Sequence, residues 1–99
     1  MNTVAEVVAR AREAQGAYES YTQEQVDAVV TAVAWAGYSN AESLAELAVQ
    51  ETGLGKYEDK VRKNRRKTFG TLRDLKHARS VGVIDEDRAR GITEIAKPV

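Results

Sequence analysis

Apolar residues recur at steps of three and four from Val4 to Leu75, and that rhythm ends at Ser80. A 3.6-residue period places side chains on one face of a helix, whereas a strand needs a period of two. The first three quarters of the chain are therefore restricted to amphipathic helices. Four follow from the breakers. The first, over 3–18, carries Val4, Val7, Val8, Ala11, Ala14 and Ala17 on one stripe. The second, over 23–37, opens with Thr22 three residues before Gln25, the spacing of a capping box. It carries Val26, Val29, Val30 and Val33, and Gly37 is expected to stop it in a left-handed conformation. The third, over 41–52, points Leu44, Leu47 and Ala48 inward, with Val49 beside them, and ends at Gly53. The fourth, over 56–78, has Val61, Thr68, Leu72 and Leu75 on a line, with Phe69 beside it and Gly70 as an interior weak point. If the second helix is packed on its valines, Val30→Asp buries an unpaired charge at a cost of several kcal/mol.

Beyond Ser80 the β-formers Val81, Val83 and Ile84 precede the polar run Asp85–Gly91, and Ile92, Thr93 and Ile95 follow it. This reads as a β-hairpin with strands over 81–85 and 91–97. Two strands alone are marginal in water, so the hairpin expects a larger sheet. The fold class is mainly α with a C-terminal β-hairpin, an α+β chain: a helical segment over 1–79 and the hairpin over 80–99.

Composition removes several functions. There is no cysteine, hence no disulfide, thiolate metal site or cysteine nucleophile within these 99 residues. No apolar run approaches the ~20 residues that span a bilayer, and no basic n-region leads an apolar stretch. A cytoplasmic location is expected. The net charge of zero conceals an asymmetry. Residues 1–59 hold three Lys/Arg against ten Asp/Glu, and residues 60–99 hold twelve against five.

The candidate chemical groups are few. His77, the one histidine, lacks the companions of a metal site and reads as a surface residue favoured near a helix C-terminus. Lys60–Lys67 has six basic residues in eight. It suits phosphate binding by charge, but it wraps more than two turns and lacks interleaved aromatics. It reads as a solvated helix complementing the acidic half, and nucleic acid is not the expected partner. Gly53-Leu54-Gly55-Lys56 follows a helix and lacks the ending of a phosphate loop, so it reads as a helix stop. Tyr18, Tyr21, Tyr38 and Tyr57 read as helix-end packing, and Trp35 as a core or interface anchor.

Five stretches read in order resemble one family. They are Tyr21-Thr-Gln-Glu-Gln-Val-Asp27, Ala45-Glu-Leu-Ala-Val-Gln-Glu-Thr-Gly-Leu-Gly55, Tyr57-Glu-Asp-Lys-Val-Arg-Lys-Asn64, Ser80-Val-Gly-Val-Ile84 and Ile95-Ala-Lys-Pro-Val99. Together they resemble the N-terminal region of CoA-acylating aldehyde dehydrogenases, over about residues 5–99. Arg66-Lys-Thr-Phe-Gly-Thr-Leu-Arg-Asp-Leu-Lys76 is similar to the sulfoacetaldehyde dehydrogenase branch. The resemblance implies the front of an α/β fold without its dinucleotide-binding core. It also implies a parent enzyme that oxidises an aldehyde through a cysteine thiohemiacetal, with NAD(P) and coenzyme A as cofactors. No catalytic, cofactor-binding or metal residue carries over to this chain. Its helices are expected to pack on the rest of the dehydrogenase or on a second subunit, and its hairpin to serve assembly of a homo-oligomer. The rival reading is a stand-alone helical binding or regulatory module that uses helix 60–67 on an anionic partner.

Overall fold

A computed structural model describes residues 2–99. Four helices precede a two-stranded antiparallel hairpin: α1 Val4–Tyr18, α2 Gln23–Ser39, α3 Ala41–Thr52, α4 Tyr57–Leu75, β1 Gly82–Asp87 and β2 Ile92–Ala96. The chain is thus mainly helical α+β. It divides into two compact units, one made of the stretch through Asp27 with Ala78–Val99, the other of Ala28–His77.

Reciprocal capping starts the first two helices. Glu6 N–H donates to the Thr3 hydroxyl while the Thr3 N–H donates to the Glu6 carboxylate. Gln25 and Thr22 repeat that exchange at α2. Each box satisfies two backbone donors that a helix start otherwise leaves open.

Gly37 does not end α2. Its φ is not positive, and the helix continues to Ser39. A Cβ built at Gly37 would lie 3.7 Å from Thr68 Cγ2, so the glycine sits where α4 passes close by. The break comes at Asn40, the single residue between α2 and α3. Gly53 does behave as expected: at φ +65° it caps α3, with its N–H on the Val49 carbonyl.

The core lies on small residues. Within the second unit the buried apolar side chains are Ala41 and Ala45 of α3 and Val61 of α4. Leu44 and Leu47, expected to face inward, are exposed, Leu47 at 60%. On the part of α2 in that unit the half-buried positions are Ala34 and Gly37. Val29, Val30 and Val33 all count as exposed. The physical reason is distance: alanines let two helix backbones approach closely, and α3 meets α4 along that face. The branched residues beside it then point away.

In the first unit Val26 is 2% exposed and Pro98 is buried. The hairpin pairs Gly82 with Ala96, Val83 with Ile95 and Asp87 with Ile92. The register shifts by one residue between Val83 and Asp85, a bulge at Ile84. The Arg79 guanidinium donates to the Ile84 carbonyl. β1 runs further into the acidic stretch than the alternation suggests, because Asp85, Glu86 and Asp87 each find a cross-strand partner. The remaining turn is closed by Asp87, which accepts from the Arg90 N–H at 3.1 Å and from its guanidinium at 2.5 Å. Those contacts, the guanidinium first, hold the Asp87 carboxyl below its ordinary pKa.

Two stability measurements follow. Val26→Asp is expected to cost about 3–5 kcal/mol as an unpaired buried charge, whereas Val30→Asp, at a site 43% exposed, stays within about 1 kcal/mol. Urea unfolding followed by circular dichroism ranks them, and equal losses would contradict this burial pattern. Gly37→Ala should stabilise by about 0.5–1 kcal/mol, as alanine does in a helix interior. Gly53→Ala should destabilise by about 1–2 kcal/mol through its left-handed backbone.

Candidate functional site

The chain presents three assemblies of residues.

The first is the mooring of the hairpin. The Gln23 carboxamide oxygen accepts from the backbone N–H groups of Ser80 at 2.8 Å and Val81 at 3.2 Å. Its nitrogen donates to the Ser80 hydroxyl and to Asp27, at 2.8 and 2.9 Å. One side chain in the first turn of α2 thereby fixes the entry to β1 with three hydrogen bonds. Gln15 of α1 holds the far end, donating to the Pro98 carbonyl at 2.8 Å. Both mooring bonds are partly buried, where an unmade bond costs more than in water. The hairpin so held leaves Val83, Ile92 and Ile95 exposed. Among the described residues no third strand pairs with either strand, so each outer edge keeps open backbone groups.

The second is the apolar residue set of α2, α3, α4 and the α3–α4 connection. Trp35 stacks on Tyr38 with ring centroids 6.0 Å apart, and Trp35 is 66% exposed. Leu44, Leu47, Leu54, Phe69 and Leu75 are exposed as well. Scattered exposed leucines are ordinary on a protein surface; a chain that buries alanines and exposes its large apolar residues is not.

The third is the basic run on α4. Arg65 reaches Glu42 of α3 at 2.8 Å, and Arg62 lies 3.7 Å from Asp59. Asn64, between them, donates to the Ala41 carbonyl at 3.2 Å. Arg62, Arg65 and Arg66 line a cleft of about 440 Å³ with Glu42, Tyr57, Glu58 and Val61. Arg62 and Arg65 therefore join α4 to its own Asp59 and to α3.

The remaining sequence candidates fall apart from one another. His77 lies exposed in the turn after α4. No group of His, Cys, Asp or Glu among the described residues is placed to hold a metal ion. Gly53 and Gly55 both take positive φ, forming the connection between α3 and α4. Tyr18 and Tyr21 meet edge to face at 5.4 Å. No described helix is long and apolar enough to cross a membrane. The mooring role of Gln23 and Gln15 was not legible beforehand, because a glutamine at a helix start has no signature that names a partner 57 residues away.

Comparison with known proteins gives these surfaces an origin. No family model matches the chain. An acylating sulfoacetaldehyde dehydrogenase of Cupriavidus necator is 57% identical over 97% of the chain and 20% of its own length. One from Bilophila wadsworthia is 45% identical over the whole chain and 22% of its own length. A crystal structure of an acetylating aldehyde dehydrogenase from Geobacillus thermoglucosidasius superposes with a TM-score of 0.73 at 36% identity. That match covers 84% of this chain and 18% of the other.

Fold and sequence together place the chain beside the aldehyde dehydrogenases. In particular, the chain is a homologue of the N-terminal region of the acylating aldehyde dehydrogenases, with sulfoacetaldehyde dehydrogenases among its relatives. It spans about a fifth of the length of these relatives.

Gln23→Ala is expected to release the hairpin while the helices persist. Amide exchange at Ser80, Val81 and the β1–β2 ladder should accelerate at least about tenfold, the effect of roughly 1.4 kcal/mol of lost local stability. Unchanged protection would mean the hairpin is held by something other than this carboxamide.

Proposed function

We propose that this chain is the packing and assembly part of an acylating aldehyde dehydrogenase. The parent is a cytoplasmic homo-oligomer that oxidises an aldehyde, sulfoacetaldehyde by preference, to its acyl-CoA with NAD(P). The observation that carries the reading is 57% identity to a sulfoacetaldehyde dehydrogenase along almost the entire chain. The inverted burial pattern agrees with it, since Leu47, Trp35 and Phe69 gain apolar cover only from other polypeptide.

The chemistry belongs to residues outside this chain. Acyl transfer of this kind needs a thiolate, and the 99 residues contain no cysteine. A dinucleotide needs a glycine-rich turn leading from a strand into a helix. Here β1 runs directly into β2 through residues 88–91, so the residues present do not fit a nicotinamide cofactor. The role left to the chain is to bury the apolar sides of its helices against the body of the enzyme. The moored hairpin extends the sheet through which subunits assemble.

A hybrid tests this. The chain replaces its counterpart in the Cupriavidus necator enzyme, and reduction of NAD(P) is followed with sulfoacetaldehyde and CoA. The hybrid is expected to form an active oligomer, and the chain alone to show no turnover. A hybrid that folds and assembles but has no activity would sink the reading, as would turnover by the purified chain.

A further inference from the structure

Between Asp27 and Glu42 the chain carries no charged residue, and most of that stretch is α2. An ordinary surface helix turns charged side chains to solvent, and a helix without them is one that becomes covered. In α2 from Ala28 onward only Ala34 and Gly37 are half-buried, and every other residue is exposed. Val29, Ala32, Val33 and Ala36 follow at steps of three, one and three, which gathers them on one side of the helix. Gly37, facing Thr68 of α4, lies on a different side. All four stripe residues are exposed, Val33 at 66%.

Two properties separate this stripe from the other exposed apolar residues. The first is its surroundings. Leu47 has Glu51 one turn further on, and Phe69 has Arg65 and Arg73 one turn to either side. A two-fold axis sets a patch against itself, so charges beside Leu47 or Phe69 would meet their own sign in a second copy. No such cost arises on α2. The second is shape. Reversed end to end about a point between Ala32 and Val33, the stripe sets each valine against an alanine: Val29 against Ala36, and Val33 against Ala32. Large against small lets facing side chains interdigitate. Antiparallel helices also bring opposite dipole ends together.

We propose that two copies of this chain associate through the Val29–Ala36 face of α2, antiparallel, with a two-fold axis between Ala32 and Val33. This surface is separate from the hairpin, and it leaves Leu47, Phe69 and Leu75 for the body of the enzyme. The association is a property of the 99 residues themselves and does not rest on the catalytic reading. One pair of helix faces is small beside a standard interface, so the contact is weak, with a Kd of roughly 10–500 µM.

Sedimentation equilibrium of the 99-residue chain tests this. The average mass is expected to climb from monomer toward dimer between about 10 µM and 1 mM. It should do so equally in about 0.1 and 1 M salt, because no charge takes part. Ala32→Glu and Ala32→Lys each place like charges beside the axis, so each alone should stay monomeric with its helix content by circular dichroism intact. An equimolar mixture of the two should regain the dimer. A wild-type chain that stays monomeric up to about 1 mM overturns the proposal. So does a dimer that dissolves in high salt, since the acidic and basic parts of the chain would then be pairing. If Ile95→Lys abolishes association and the Ala32 variants do not, strand edges pair instead and the α2 face is wrong. A mixture that stays monomeric overturns the two-fold geometry. Should a charged variant lose helix content, the absence of cysteine allows a second readout. A short bismaleimide is expected to link Ala32→Cys chains to one another and not Leu47→Cys chains, and equal linking of both overturns the proposal.

Discussion

The close approach of α3 to α4 over Ala41 and Ala45 is the contact on which the second unit depends. Both alanines are fully buried, and Val61 is the one large side chain of the pair that is buried with them. Methyl-sized residues forfeit transfer energy, since alanine buries far less area than leucine. In exchange they shorten the distance between helix axes enough for side chain to backbone bonding. Asn64 uses that closeness to reach the Ala41 carbonyl, and Arg65 to reach Glu42. The exposed ion pair adds little by itself, at most about 1 kcal/mol. Its value is orientation, because it ties α4 to α3 beside the buried Val61.

The consequence is a chain with its apolar weight on the outside. Full burial of a leucine or phenylalanine stabilises by about 1.5–3 kcal/mol, and Leu44, Leu47, Phe69 and Leu75 all forgo most of that gain. The chain spans about a fifth of its relatives' length, and the assembly role proposed above gives these side chains their cover. Its large side chains are suited to a core shared with further polypeptide, while its small ones seal the helix pair itself.

The hairpin follows the same logic with polar means. An isolated pair of strands is marginal, and here no apolar layer within the strands compensates. Gln23, Gln15 and Arg79 hold it by side chain to backbone bonds at the entry, the exit and the bulge. Such bonds position a strand pair without burying its faces, so Val83, Ile92 and Ile95 stay available to a larger sheet.

The sequence by itself determined the elements and the family. Period, capping residues and β-formers are local properties, so Thr22 with Gln25, Gly53 and the change of rhythm at Ser80 announced helix starts, a helix end and a hairpin. Motif runs such as Tyr57–Asn64 carried the resemblance because their order survives without any knowledge of contacts. Tertiary structure decided which side of each helix is buried. The stripe of Val29, Val30 and Val33 and the pair Leu44 and Leu47 were read as core because apolar residues usually are. That inference holds only when a chain contains its own core. Gly37 suggests a stop because glycine tolerates a left-handed backbone; in the structure it lies inside α2, facing Thr68 of α4 with room for a Cβ at 3.7 Å. That Arg62 and Arg65 find carboxylates, while Arg66 and the lysines of the basic run have no ion pair among the described residues, was equally invisible. All six side chains carry the same charge, and the position of Glu42 across the helix pair singles out Arg65.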